Sequence, residues 1–429
     1  MYIPAFFKVF PMCQVILQSS QNPNDPKNTL GNLSPYHVAS TVSGIQKDLP
    51  SDCSVEQVIL MHQHGSRGPL DDAFSLMQGL YHLFDNSSDI VQLSDLPPQL
   101  KFLEDIPKRE FALGELTPVG RQQLFSHGVD FLSRYPYLTT NMILAGNQSR
   151  DIESSRWFAQ GYFGHDALNV SFVALPDSGT EPSWIRPWLS CPRWQDFGDA
   201  EALKWVEIYV PHIISRLNGV ISGLDLTDDH VRGALYACAY ELAAYDRSPW
   251  CGLFSPEELL QFEYELDVYT VNSFGHNLPD NMGPIMGAVY VKKLIERLTN
   301  STGDAKPLYL EFGHDVTIYL ALTALGLAKD SSNPSDDDTI RSDRQLRTSY
   351  QAPFAANMVW EKFTCSKSFE GSQVRLVLNE ATFPLTICAR TDDDKSYGTC
   401  SLGAFVAANQ RSTDIELGDK RWNDACGPV

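Results

Sequence analysis

Three places in the chain combine histidine, arginine and aspartate in ways that could do chemistry. They are His62-Gln63-His64-Gly65-Ser66-Arg67, Ser149-Arg150 and His314-Asp315. A neutral imidazole is a good nucleophile toward phosphorus and forms a phosphohistidine. Guanidinium forks match phosphoryl oxygens and hold charge as it develops in the transition state. A protonated carboxyl can donate to a leaving alkoxide. One histidine, two arginines and one aspartate gathered at a point would therefore suit attack on a phosphate.

Each group follows a short apolar run, as strand ends in an α/β fold would require. Val58 to Met61 reads as a buried strand running into the first group. Asn141 to Ala145 reads as a second strand, followed by a loop, 146–150, that opens a helix from Ile152 to Phe163. Leu308 to Phe312 reads as a strand ending at Gly313-His314-Asp315. Val170 to Leu175 and Val374 to Leu378 add further strands. Thr117 suits a helix N-cap and Pro118 the first helical position, in a helix running to about Arg134. Helical apolar spacing marks 71–83, 199–218, 228–245, 255–270 and 283–299. Residues 18–50 read as an extended arm, and 330–348, acidic and Ser-rich, as a solvated loop.

The 429 residues carry a formal charge of −20, and 43% are hydrophobic. That balance argues for a globular chain and against nucleic acid as a partner. No apolar run is long enough to span a bilayer. There are nine cysteines and no CxxC. Reduced buried thiols would account for them. Close pairs at Cys238/Cys251 and Cys388/Cys400, and five Asn-x-Ser/Thr sequons at Asn32, Asn86, Asn147, Asn169 and Asn300, favour the secretory route instead. Tyr2 to Leu17 is apolar but is interrupted by Lys8 and Pro11 and lacks an Ala-x-Ala-like site, so it makes a poor signal peptide. No cluster has metal-ligand spacing, so neither a metal nor another cofactor is expected.

With these motifs in place, the chain resembles the histidine acid phosphatases, and within them the fungal phytase-like branch. The family signature Arg-His-Gly-x-Arg-x-Pro stands here as Gln63-His64-Gly65-Ser66-Arg67-Gly68-Pro69, and a second, His-Asp after a strand, as Phe312-Gly313-His314-Asp315. Leu116-Thr117-Pro118-Val119-Gly120, Ser149-Arg150, Gly283-Pro284 and Pro353-Phe354-Ala355 extend the resemblance over roughly 53–426. It implies His64 as nucleophile, Asp315 as proton donor, and Gln63, Arg67, Arg150 and His314 as substrate-binding residues. It also implies disulfides Cys53–Cys365, Cys191–Cys426, Cys238–Cys251 and Cys388–Cys400, with Cys13 unpaired. The fold expected is a large α/β domain with a mostly parallel central sheet and a smaller α-helical cap. Residues 1–50 would be an arm, 51–67, 105–180 and 286–429 the α/β domain, and 68–104 with 181–285 the cap.

Two departures matter. Gln63 carries no charge where the signature has arginine, and losing one preorganised donor costs about 10²–10³ in rate. The rim positions that hold lysines in phytate-preferring relatives read here as Leu70-Asp71-Asp72 and Asn272-Ser273-Phe274-Gly275-His276. An acidic or neutral rim repels a substrate bearing many phosphates. Two readings stay open. One is hydrolysis of a small phosphomonoester through a phosphohistidine on His64. The other is a repurposed scaffold that binds, or does acid/base chemistry (elimination or cyclisation) on, a non-phosphorylated organic molecule. His62, outside the signature, reads as a packed histidine; Arg67 and Arg150 could pair with structural carboxylates, though two arginines near one histidine at strand ends favour a site. Arg156 reads as a solvated helix position, and His212, His230 and His276 as surface or packing residues.

Overall fold

The computed structural model describes residues 25–40, 42–87, 96–107, 109–176, 183–221, 223–330, 338–341 and 343–428. The leader-like segment, Cys13 and residues 18–24 of the arm lie outside them. The elements are, in chain order, β1 (Cys53–Gln63), α1 (Asp71–Ser87), α2 (Pro118–Arg134), β2 (Met142–Gly146), α3 (Ser149–Phe163), β3 (Ser171–Leu175), α4 (Gly198–Val220), α5 (Asp228–Tyr245), α6 (Pro256–Ser273), α7 (Met282–Thr299), β4 (Leu308–Gly313) and α8 (Asp315–Ala324). There follow α9 (Thr348–Gln351), β5 (Asn357–Cys365), β6 (Gln373–Leu378), β7 (Ala381–Phe383), α10 (Asp392–Tyr397), β8 (Thr399–Ser401), α11 (Leu402–Ala408), α12 (Gln410–Thr413) and α13 (Lys420–Cys426).

One sheet organises them, in the order β3-β2-β4-β1-β5-β6-β7, with β8 also on β6. Strands β3, β2, β4 and β1 pair in parallel, and β5 to β8 add antiparallel neighbours. The fold is α/β, but its sheet is mixed rather than mostly parallel. The reason is the connections. β6 and β7 are joined only by Asn379 and Glu380, both in the left-handed region (φ 47° and 62°). A two-residue link of that kind makes a hairpin; a parallel return needs a crossover of a dozen residues or more.

β1 is the centre of the sheet, and its side chains alternate between two cores. Val58 and Leu60 enter one cluster with Leu124, Ile143, Phe158, Leu310 and Phe312, which lies under α2 and α3. Ile59 and Met61 enter another with Met286, Leu294, Ile318 and Trp360, under α7 and α8. A strand buried on both faces reads as a continuous apolar run, as Val58 to Met61 does. A third cluster, with Met77, Trp205, Tyr209, Leu235, Phe262 and Tyr264, joins α1, α4, α5 and α6.

The arm is not merely draped over this surface. Leu30 and Leu33 are buried in the helical cluster, and Ser34 is fully buried. Nor is all of 330–348 a solvated loop: Arg344 is 7% exposed and ion-paired with both Glu263 and Asp267 of α6. The four disulfides are Cys53–Cys365, Cys191–Cys426, Cys238–Cys251 and Cys388–Cys400. Among the described residues no helix is long and apolar enough to cross a membrane.

Candidate active site

The site forms where β1 and β4 end side by side. Gln63 is in register with Gly313, and the His64 amide donates to the Gly313 carbonyl at 2.9 Å. The next residue on β4's side is His314, whose ring centroid lies 5.4 Å from that of His64 in an edge-on arrangement. Parallel register thus brings together two motifs about 250 residues apart.

The loop after β1 is tied down on every side. The Ser66 amide donates to Gln123 Oε1 at 2.9 Å, and the Gly65 amide to Ser154 Oγ at 3.2 Å. Thr117 caps α2 by accepting from the Gly120 amide at 3.0 Å, and its hydroxyl donates to the Ser66 carbonyl at 2.9 Å. A Cβ on Gly65 would meet the Gly120 carbonyl oxygen at 2.6 Å, so only glycine lets the loop lie this close to α2.

His64 is 3% exposed, and its Nδ1 lies 2.9 Å from the Gly65 carbonyl oxygen. A carbonyl oxygen can only accept, so Nδ1 carries the proton and Nε2 presents a lone pair. Burial, followed by the Arg150 guanidinium, His314 and Arg67, pushes the imidazole well below its ordinary value. It stays neutral, as a nucleophile must.

Arg150 lies in the first turn of α3 rather than in the preceding loop. Arg67 donates to Tyr240 Oη at 3.3 Å and to its neighbour Gly68's carbonyl at 3.0 Å, with its guanidinium 5.9 Å from the Tyr240 and Phe354 ring centres. Neither Arg67 Nε nor Arg150 Nε has a hydrogen-bond partner. Neither arginine has a carboxylate within ion-pair distance among the described residues. Burial and then Arg67 lower the Arg150 pKa, with Arg186 pushing the same way and Asp151 and Asp315 opposing it. Two guanidiniums thus repel each other beside a neutral imidazole, an arrangement that an anion would relieve.

His314 occupies the N-cap position of α8, and Asp315 is its first helical residue, not the cap. Asp315 Oδ1 accepts from the Val316 amide at 2.9 Å, and Oδ2 accepts from Asn32 Nδ2 of the arm at 2.8 Å. Two helix N-termini, of α3 and α8, therefore open onto the cluster, and such ends favour negative charge. Gln63 is 1% exposed, with Oε1 unpartnered.

Of the expected site residues, His64, Arg67, Arg150, His314 and Asp315 lie close enough to act on one another, and three more come with them. Asn32 reaches Asp315 across 283 residues. Asp151 lies 3.2 Å from His314 Nε2, and Arg186, stacked over Trp188, is close enough to act on Arg150. Only Asp151 had a signal in the sequence, its place beside Arg150, and that place also suits any acidic first-turn residue. His62 is structural: its Nδ1 donates to the Gln63 carbonyl at 2.6 Å, and its Nε2 is 3.0 Å from His127 Nδ1. The presumed second rim segment is mostly interior. Asn272, Ser273 and Phe274 are buried, and Phe274 stacks on Trp194 with ring centres 5.4 Å apart. Asp71 and Asp72 are exposed.

Residues 54–379 match the model of the histidine phosphatase superfamily, branch 2. A thiamine-repressible acid phosphatase of Schizosaccharomyces pombe is 29% identical over 426 residues, covering 93% of this chain and 91% of its own. Another acid phosphatase of that yeast is 30% identical, covering 94% and 91%. The crystal structure of the phytase from D. castellii superposes with a TM-score of 0.81 at 22% identity, over 97% of this chain and 92% of that one. The chain belongs to branch 2 of the histidine phosphatase superfamily.

Proposed function

We propose that this protein hydrolyses a small phosphomonoester through a phosphohistidine on His64. One observation carries the reading: a neutral imidazole with its Nδ1 proton engaged lies near two arginines that have no ion-paired carboxylate among the described residues. The names of the relatives, acid phosphatases and phytases, support it.

In this reading Arg67 and Arg150 hold the phosphoryl oxygens, with His314 as a further contact. His64 Nε2 attacks phosphorus, the P–O bond to the substrate breaks, and Asp315 gives its proton to the departing alkoxide. Water then attacks the phosphohistidine, returning Nε2 its lone pair and a proton to Asp315. The helical elements over the site act as a cap, made from about 68–104 and 181–285, that sets substrate choice. The exposed Asp71 and Asp72 at its edge disfavour phytate. The four disulfides fit an oxidising compartment, so we assign the chain to the secretory route.

A second reading, acid/base chemistry on a non-phosphorylated molecule, is favoured by uncharged Gln63 in the place of the signature arginine. Phosphate release from an aryl phosphate at acidic pH separates the two. Turnover by the native chain that vanishes in His64→Ala supports the hydrolase. Absence of turnover in the native chain, with gain in Gln63→Arg, would sink it in favour of the second reading.

A further inference from the structure

Asp151 is fully buried, and neither carboxylate oxygen has a hydrogen bond. Its Oδ2 lies 3.2 Å from Nε2 of His314, itself only 6% exposed at the side chain. An uncompensated buried carboxylate costs several kcal/mol, and the groups shown near this one are His314, in contact, and Arg150, on which it acts electrostatically. The space for the carboxylate is built in. A Cβ on Gly146, at the end of β2, would meet Asp151 Oδ2 at 2.4 Å. Strand end, helix start and His314 thus converge on one carboxylate.

The two atoms meet as an ionic contact, since His314 Nε2, like the carboxylate oxygens, makes no hydrogen bond. We propose that Asp151 is a positioning residue for His314, its charge at 3.2 Å holding the proton on the facing Nε2 and so fixing which ring nitrogen serves the substrate. An ionised carboxylate can only accept, so Nε2 is the nitrogen that carries hydrogen. Nδ1 is then the nitrogen left for a ligand. It donates to a phosphoryl oxygen when the ring is doubly protonated, the imidazolium being balanced by Asp151. The phosphoryl part of this argument rests on the function proposed above; the tautomer does not.

The test uses the full chain, with Asp151→Asn and Asp151→Leu, which keep the side-chain shape. Histidine labelled with ¹⁵N reports the tautomer, the His314 signal being identified by its loss in His314→Gln. The native chain should show His314 protonated at Nε2. Both variants should shift that population, because Asn can donate to Nε2 and Leu cannot accept from it. Activity on an aryl phosphate should fall about 10²-fold in kcat, with KM changing far less and Tm unchanged or higher. Titration with inorganic phosphate should show weaker binding to doubly protonated His314 in both variants. A native His314 protonated at Nδ1 alone would overturn the proposal. So would an unchanged tautomer in the variants, whether kcat holds or falls together with Tm. If His64→Ala leaves turnover intact, the phosphatase reading fails while the tautomer result still decides this one.

Discussion

Two regions of the molecule each contain a pair of largely buried arginines, and they treat them in opposite ways. Beneath the helices, Arg344 meets Glu263 at 2.7 Å and Asp267 at 2.8 Å, and Arg347 meets Glu263 at 2.7 Å. Thr348 adds its amide and hydroxyl to Asp267, and Ser349 its hydroxyl to Glu263. Every charge there has a partner of opposite sign. At the strand ends, Arg67 and Arg150 have backbone carbonyls and a tyrosine instead, and no ion-paired carboxylate among the described residues. Neutralised arginines hold a fold together; uncompensated ones store repulsion that a ligand can discharge. The arginine pair near His64 thus differs from a structural pair by what it lacks.

The largest break in that comparison should come from Arg344→Ala. It leaves Glu263 and Asp267 buried with a single cation, Arg347, and should lower stability by about 3–5 kcal/mol, seen as a drop in Tm by calorimetry. Arg67→Ala should do the reverse: kcat/KM for an aryl phosphate falls about 10²–10³-fold, while Tm holds or rises. If Arg67→Ala unfolds the protein as Arg344→Ala does, the two regions are alike and the contrast is wrong.

Gln63→Arg sharpens the comparison by adding a third guanidinium to the uncompensated side. Phosphate release should rise by up to about 10², at the cost of a lower Tm without phosphate and a larger Tm gain when phosphate is added. Equal phosphate-induced gains in native and variant chains would show that position 63 does not face the anion.

The smallest effect separates the structural histidines from His64. Burial, with His127 beside it, pushes His62 down to about 3, and burial pushes His127 down to about 4. The unfolded chain takes up protons below the ordinary value of 6.5 while these folded groups stay neutral. Stability should therefore be flat above that pH and decline as pH falls toward about 4. His127→Gln, which retains a donor for His62 but does not titrate, should flatten the decline measured by urea unfolding. An unaltered slope would place the acid lability elsewhere.

Much of this site was legible because it is local. A glycine-flanked His and Arg after Val58 to Met61, and His-Asp after Leu308 to Phe312, announce two strand ends, and β1 and β4 supply them. The capped start of α2 was equally readable, since Thr117 and Pro118 act within one turn. β5 was not. Its central Glu361 is buried, paired with Arg375 at 2.5 Å and Arg134 at 3.1 Å, and a charge inside the sheet hides the apolar pattern of a strand. Of the antiparallel half of the sheet only β6 was read, as Val374 to Leu378.

By itself the sequence determined which residue types stand at the ends of which strands, and how the cysteines pair given the family likeness. Those depend on neighbours in the chain and on a pattern shared with relatives. Tertiary structure alone decided that Asn32 of the arm holds Asp315, that Asp151 faces His314, and that Arg344 is neutralised while Arg67 is not. The physical reason is that a charge is structural or functional according to its partners, and partners are chosen by packing across hundreds of residues, where spacing in the chain carries no information.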